Sequence, residues 1–253
     1  MKRLCVALFV FILLSVALFA EPLKNHDSSK FSLGILGGLN IPQLSGGNNN
    51  ELSRDYTSRL GDVFGLTASF PLVSKFSLRI DALYSSEGGK RNGIQAIDAA
   101  SFNPQAPAGT YLYANFNNQT ILNYFELPVM AKYSISLGSS SKFYISFGPY
   151  AGILLNAKQK TSGSSLVYAD RAETMPLPLP TQSFDASVPT TSSVKPVNVG
   201  LTGGIGISKT IGVGDLFMDV RGAYGFSVIQ KYAADGTSHT GSMFIALGYS
   251  VPF

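Results

Sequence analysis

Apolar and polar residues alternate along eight stretches of the chain, and this period-2 pattern is typical of β-strands whose two faces differ in environment. In residues 76–84, FSLRIDALY, every second residue is apolar, whereas Arg79 and Asp81 lie on the opposite face. The pattern predicts an all-β protein. The eight predicted strands are 31–41, 62–70, 76–84, 125–135, 142–156, 197–207, 216–226 and 243–253.

The links between these strands alternate strictly between short and long. The short links are 71–75, 137–141 and 209–214, and the long links are 42–61, 85–118, 157–196 and 227–240. An up-and-down antiparallel barrel with short turns at one rim and long loops at the other has this arrangement. The sequence therefore predicts an eight-stranded barrel, and the closely spaced prolines of residues 175–180 predict extended polyproline structure in its third long loop.

The composition of the polar face indicates whether that face lines the interior of the barrel or forms its outer surface. Charged residues make up only 13% of the chain, and the polar face is rich in glycine, serine and threonine. A soluble, lipocalin-like barrel would need an outer face rich in Lys and Glu, whereas small residues suit a narrow interior. We therefore predict a transmembrane barrel with its bulky apolar face toward lipid. Its enclosed face would carry six charges: Arg79, Asp81, Glu126, Lys132, Asp219 and Arg221.

The N-terminus predicts export. Lys2 and Arg3 precede an apolar run that ends at the small residue Ala20, which is the pattern of a cleaved secretory signal peptide. We expect residues 1–20 to be the signal peptide, 21–30 a short periplasmic stub and 31–253 an outer-membrane barrel. Loss of the signal removes Cys5, the sole cysteine, and lowers the formal charge from +4 to +2. So small a charge gives no support for nucleic-acid binding.

The end of the last predicted strand carries a candidate assembly signal. Outer-membrane proteins characteristically end in a strand with a C-terminal aromatic residue that the barrel assembly machinery recognises. Gly248, Val251 and Phe253 resemble that signal, whereas Ala246 departs from it because a polar residue commonly stands there. The resemblance predicts the assembly machinery and outer-membrane lipid as partners.

Two motifs resemble those of the PorT-like outer-membrane β-barrel domain family. Residues 124–133, YFELPVMAKY, resemble the family's strand with Glu-Leu-Pro followed by apolar residues and Lys-Tyr, and 148–152, GPYAG, resembles the following strand. The resemblance covers residues 31–253. It implies an eight-stranded outer-membrane barrel with short periplasmic turns and long extracellular loops, and it supplies no catalytic residues.

Few residues could support catalysis. A hydrolytic site would need a histidine beside a serine and an acid, and the sequence offers His239, Ser242 and Glu126 for these roles. A solvated loop histidine is the simpler interpretation of His239. The glycine-rich stretch 201–206 has no Lys-Ser/Thr after it and so does not match a phosphate-binding loop. We predict a non-enzymatic protein with no cofactor and no metal.

The functional prediction depends on the lumen and on the long loops. Eight strands leave an interior that side chains can fill, so a closed charge network is favoured over a pore. The leading hypothesis is a structural or binding barrel that acts through its long extracellular loops toward an unknown ligand. The alternative is a narrow porin-like channel for ions or small solutes. An outer-membrane enzyme and a secretion-assembly component are weaker hypotheses.

Overall fold

A computed structural model describes residues 31–47 and 50–253. The predicted signal peptide, 1–20, and the predicted stub, 21–30, lie outside the described residues. The described chain forms twelve β-strands: β1 (Ser32–Gly46), β2 (Gly61–Val73), β3 (Phe76–Asp98), β4 (Tyr111–Ser136), β5 (Ser141–Ser162), β6 (Ser164–Ser165), β7 (Val167–Tyr168), β8 (Gln182–Ser183), β9 (Ala186–Pro189), β10 (Val197–Ile211), β11 (Gly214–Gly225) and β12 (Ser238–Pro252).

Eight of these strands form a closed antiparallel ring. The order around the ring is β1-β2-β3-β4-β5-β10-β11-β12, and β12 pairs with β1 from Ser32↔Pro252 to Gly46↔Ser238. Because every barrel strand has two partners, no open edge remains within the ring, which is the condition for crossing a membrane with strands. The predicted eight-stranded up-and-down barrel is confirmed.

The two rims differ as predicted. The connections 74–75, 137–140 and 212–213 are tight turns, whereas 47–60, 99–110, 163–196 and 226–237 are long. Outer-membrane barrels place short turns in the periplasm and long loops outside, so the long-loop rim is the extracellular one. The third loop contains β6 to β9, of which β7 pairs with β4 and β9 pairs with β5.

The prediction that residues 85–118 form a loop was wrong for 85–98 and 111–118, and only 99–110 connect the two strands. β3 continues to Asp98 and β4 begins at Tyr111, and the two strands stay paired through Asp98↔Tyr111. β5 likewise continues to Ser162 and pairs with β4 to Asn117. A tilted strand needs about 9–11 residues to cross a bilayer. With 23, 26 and 22 residues, β3, β4 and β5 are long enough to project beyond the membrane on the loop side.

The exposed face of the ring is apolar and the enclosed face is polar. Phe64 and Leu66 on β2 are 53% and 61% exposed, whereas Arg79 and Asp81 on the neighbouring strand are 2% and 0% exposed. This is the reverse of a soluble barrel, in which the apolar residues point inward. The chain therefore presents lipid with a continuous apolar surface. Among the described residues, no helix has the length and hydropathy needed to cross a membrane.

Aromatic rings gather at the short-turn rim. Phe31 stacks on Phe70 with ring centroids 6.1 Å apart and on Phe253 at 5.6 Å, while Phe76 and Tyr133 lie 4.8 Å apart. Aromatic girdles occur where transmembrane barrels meet the membrane–water interface. This rim therefore marks the periplasmic boundary of the apolar band.

Candidate functional site in the lumen and the outer vestibule

The centre of the lumen holds four charged side chains from two strands. β3 supplies Arg79 and Asp81, and β11 supplies Asp219 and Arg221. These strands stand four places apart in a ring of eight, so they face each other across the lumen. They run in the same direction, and one reads Arg-x-Asp where the other reads Asp-x-Arg. Opposite charges therefore face each other at two successive levels.

These four residues, hereafter the charge quartet, form a closed cycle of ion pairs. Arg79 lies 2.9 Å from Oδ1 of Asp81 through Nε and 2.9 Å from Oδ2 of Asp219 through Nη2. Arg221 lies 2.6 Å from Oδ2 of Asp81 through Nη1 and 2.6 Å from Oδ2 of Asp219 through Nη2. Each carboxylate thus bridges two guanidinium groups, and none of the four side chains is more than 2% exposed.

Aromatic side chains enclose the charge quartet. The Arg79 guanidinium lies 5.1 Å from the Phe217 ring centroid, and the Arg221 guanidinium lies 5.3 Å from that of Phe244. The Tyr144 hydroxyl donates a hydrogen bond to Asp219. Cation–π contacts and a phenolic donor compensate charges that have left water.

Inward-facing glycines provide the space for these large side chains. A Cβ atom at Gly206 would overlap the Tyr144 ring, and one at Gly248 would overlap the Phe217 ring. Each glycine sits on the strand next to the aromatic residue that it accommodates. The glycine content of the polar face thus follows from the bulk of the side chains that fill the lumen.

Glu126 and Lys132, which the sequence grouped with the same network, lie outside the charge quartet. Both are on β4, where six residues at about 3.3 Å each separate them by roughly 20 Å along the strand. Glu126 pairs with Leu83 toward the loops, and Lys132 pairs with Ser77 toward the short-turn rim. Neither forms an ion pair within residues 31–47 and 50–253. The Lys132 ammonium lies instead 4.0 Å from the Tyr144 ring centroid.

A further buried carboxylate, Glu87, lies on the loop side of the quartet and was not predicted from the sequence. It accepts hydrogen bonds from Asn40 Nδ2 at 2.9 Å and from Ser85 Oγ at 2.8 Å. It was assigned to a loop because the apolar alternation of β3 fades after Tyr84. The alternation of side chains into and out of the ring nevertheless continues past Tyr84. Ser85 and Glu87 follow it, so a longer predicted strand β3 would have placed Glu87 in the lumen.

An apolar layer closes the lumen above these carboxylates. It is a cluster of buried side chains, and the partly buried Tyr56 and Leu154 pack against it. The buried members are Leu44, Leu122, Tyr124, Ala157, Val194 and Ile229. Val194 and Ile229 come from the third and fourth loops, so the loops themselves supply part of this layer.

Above the apolar layer, the extended strands and the loops enclose an outward-facing cavity of about 480 Å³, which we call the vestibule. Its walls include Tyr56, Phe116 and Phe184, together with the side chains of Arg91 and Asn118. Phe116 and Phe184 stack with ring centroids 4.6 Å apart. None of these residues was a candidate from sequence, since all fell in predicted loops.

Charged residues tie the first loop to the third. Arg171 lies 3.1 Å from Glu51 and 2.6 Å from Asp55, and Arg54 pairs with both acids. The hydrogen bond from Arg171 holds the pKa of Asp55 below its ordinary value. This cluster is solvent-exposed, so it orients the loops more than it adds to stability.

The histidine that sequence analysis considered for hydrolysis is not assembled into a site. His239 is on the outward side of β12, where it stacks on Tyr224 at 6.1 Å, whereas Ser242 is on the inward side with Phe244. Alternation along one strand prevents the two from meeting. Within the described ranges, no group of three or more His, Cys, Asp or Glu side chains is placed to hold a metal ion.

A closed antiparallel ring with an apolar exterior and a buried charge cluster defines a transmembrane β-barrel. Residues 19–230 match the family described as "Outer membrane protein beta-barrel domain", and the chain belongs to this family. It is therefore a β-barrel protein of the bacterial outer membrane.

Several solved structures are similar to the chain at low sequence identity. Neisserial surface protein A is 14% identical, with 88% of this chain and 97% of that chain covered and a TM-score of 0.40. The attachment invasion locus protein of Yersinia pestis, crystallised with the heparin analogue sucrose octasulfate, is 12% identical, with 87% and 99% covered and a TM-score of 0.35. The N-terminal β-barrel domain of Pseudomonas aeruginosa OprF is 10% identical, with 88% and 97% covered and a TM-score of 0.36. No curated protein matches the sequence.

Proposed function

We propose that the chain is a non-enzymatic outer-membrane barrel with a closed lumen, which acts through the structure that its long loops build on the extracellular side. The observation that carries this proposal is the charge quartet, because it joins opposite walls of the lumen. A pore would need water at this level. Four side chains that are at most 2% exposed leave little room for it.

A second obstruction supports closure. Beside the quartet, Leu36, Val63, Leu83, Phe217, Phe244 and Ala246 form a buried apolar cluster inside the ring. The upper apolar layer, which contains Leu122 and Tyr124, lies toward the loops. An ion that crossed the barrel would have to pass both levels without its hydration shell, which is costly in an apolar surrounding.

Planar-bilayer recording tests the closed lumen. We expect the purified barrel to add no discrete conductance steps to the lipid background. The narrow-channel alternative is supported by the polar side chains that lie on either side of the quartet along the lumen, Glu126 toward the loops and Lys132 toward the short turns. Steps whose ion selectivity changes in Glu126→Gln or Lys132→Gln would contradict the closed lumen and establish that alternative.

The proposal that the chain has no enzymatic activity is supported by the lumen chemistry. The quartet's carboxylates are held by guanidinium groups, and His239 is separated from Ser242 by the sheet. A residual lipid or peptide hydrolase activity that disappears in His239→Ala would contradict this proposal.

We also propose that the last strand carries the assembly signal predicted from Gly248, Val251 and Phe253, and that the chain is of the PorT-like type. The Phe253 side chain is 59% exposed at the periplasmic rim, and its backbone N–H donates to the Phe31 carbonyl at 2.8 Å. The Glu-Leu-Pro motif at 126–128 lies in the barrel wall, so it marks architecture and leaves activity undefined.

Replacement of the terminal aromatic residue tests this signal. We expect Phe253→Ala to reduce the amount of folded barrel in the outer membrane several-fold, because the assembly machinery would lose its recognition element. The readout is heat-modifiable migration of membrane fractions in SDS gels. Phe226→Ala, which removes an equally exposed aromatic residue at the opposite rim, is the matched control. Equal assembly of the two variants would exclude the signal.

A further inference from the structure

The vestibule contains a buried arginine without a counter-ion. Arg91 is 7% exposed, and it forms no ion pair in the part of the chain that the structure describes. Its Nε has no hydrogen-bond partner, and its Nη1 reaches only the Arg54 carbonyl at 3.4 Å. We propose that the vestibule binds an amphipathic organic anion, a carboxylate or sulfonate with an aromatic or aliphatic body, and that Arg91 binds the anionic group.

The position of Arg91 explains why an anion is the expected partner. The guanidinium stacks on Tyr56, with Cζ 4.8 Å from the ring centroid, and this contact fixes its plane without neutralising its charge. A buried guanidinium that lacks a carboxylate has lost hydration that one cation–π contact and one long hydrogen bond replace only in part. An anion that accepts two parallel N–H donors is the ligand group that matches its geometry.

The vestibule walls define the rest of the ligand. Phe116 and Phe184 present a stacked aromatic surface, and Leu44, Leu122 and Ile229 line the cavity beside it. The Asn118 side chain is 2% exposed and its Oδ1 lacks a partner, so it provides a hydrogen-bond acceptor for a donor on the ligand. The cavity wall is mixed, because hydroxyl and amide side chains such as Ser53, Thr120 and Gln159 lie beside the apolar ones, which suits a ligand with both polar and apolar parts. Its volume of about 480 Å³ is within the usual range for small-molecule sites.

The remaining charges of the vestibule lie away from its interior. Asp98 and Asp235 are exposed residues at its edge. They would disfavour a polyanion such as a sulfated polysaccharide, whereas a single anionic group carried on an apolar body would reach Arg91. This inference rests on the proposed function, because it assigns a ligand class to the loop-built surface of a closed barrel.

Binding of 4-(trifluoromethyl)benzoate to the refolded barrel in zwitterionic detergent, followed by fluorine NMR, tests the inference. The neutral 4-(trifluoromethyl)acetophenone has nearly the same shape and, like the benzoate, no hydrogen-bond donor. We expect the wild-type barrel to bind the benzoate at least about tenfold more tightly than the ketone, since a charge-assisted bidentate pair is the difference. Equal affinity of the two probes for the wild-type barrel, or no saturable binding of either, would by itself overturn the inference.

Variants then assign the effect to Arg91. We expect Arg91→Gln to weaken benzoate binding about tenfold and to leave binding of the ketone unchanged, with Arg91→Lys in between. Lys90→Gln is the matched control, because Lys90 is the adjacent residue on the outward face of β3 and should have no effect. Equal loss in Lys90→Gln would overturn the assignment. A silent bilayer recording without benzoate binding would refute this inference alone, whereas conductance steps with selective benzoate binding would refute only the closed lumen.

Discussion

Replacement of Arg221 by methionine is expected to destabilise the barrel by about 3–5 kcal/mol, because it removes one partner of a buried ion-pair cluster. Asp81 and Asp219 would each lose a contact of 2.6 Å, and both are at most 1% exposed. The two carboxylates would then share Arg79 alone and leave a net negative charge inside the ring. The measurement is urea-induced unfolding of the barrel in lipid vesicles, followed by the strand band in circular dichroism.

Two further variants give this prediction its controls. Removal of all four charges, in R79M/D81L/D219L/R221M, should cost much less than the single change, because apolar replacements of similar volume leave no uncompensated charge. Lys132→Met should also cost less, since Lys132 forms no ion pair within the described residues. If Arg221→Met and Lys132→Met had the same small effect, the charge quartet would not hold the two walls together.

A positive charge on the lipid-facing side of the barrel wall should lower the free energy of unfolding nearly as much as loss of the Arg221 charge from the lumen. Leu66 lies near the middle of β2, is 61% exposed and pairs with Ile35 and Ala82, which also face outward. We expect Leu66→Arg to lose about 2–4 kcal/mol, the range for arginine on the lipid face at the bilayer midplane. The readout is again reversible unfolding in lipid vesicles.

The matched control for this prediction is Leu60→Arg. Leu60 is 68% exposed but precedes β2 on the loop side, where the cost should fall to about 0–1 kcal/mol. Leu60 and Leu66 are similarly exposed but lie at different depths relative to the membrane. The comparison therefore separates the cost of placing a charge in lipid from the cost of losing an apolar side chain. Equal costs at the two positions would mean that the Leu66 face is in water.

The sequence specified the barrel wall well because each wall strand carries a strong alternation. In β2 and β12, bulky apolar residues face lipid, and apart from Val63 and Phe244 the lumen face carries glycines and small or hydroxyl residues, so both the strand and its orientation follow from a period of two. The register that places Arg79 opposite Asp219 does not follow from either strand alone. It depends on ring closure, which brings β3 and β11 to opposite walls.

The extracellular part could not be predicted in the same way. Beyond Tyr84 and before Phe125, β3 and β4 leave the lipid, so their outward faces no longer need to be apolar and the alternation weakens. Lys90 and Gln119 pair across the two strands on a face that touches water. Arg91 and Phe116 therefore seemed to belong to a loop, although strands hold both of them in the vestibule.

The orientation of the barrel wall is the claim on which the rest depends, and spin-label accessibility tests it most directly. Because the sole cysteine is Cys5, in the predicted signal peptide, single cysteines can be placed at Ile35, Phe147 and Leu247, which are 63%, 59% and 59% exposed on three different strands. Nitroxides at all three positions should be more accessible to oxygen than to a water-soluble nickel chelate, whereas a nitroxide at the loop position Ser187 should show the opposite preference. A preference for the nickel chelate at the three wall positions would contradict the account, because it would place the apolar face outside the membrane.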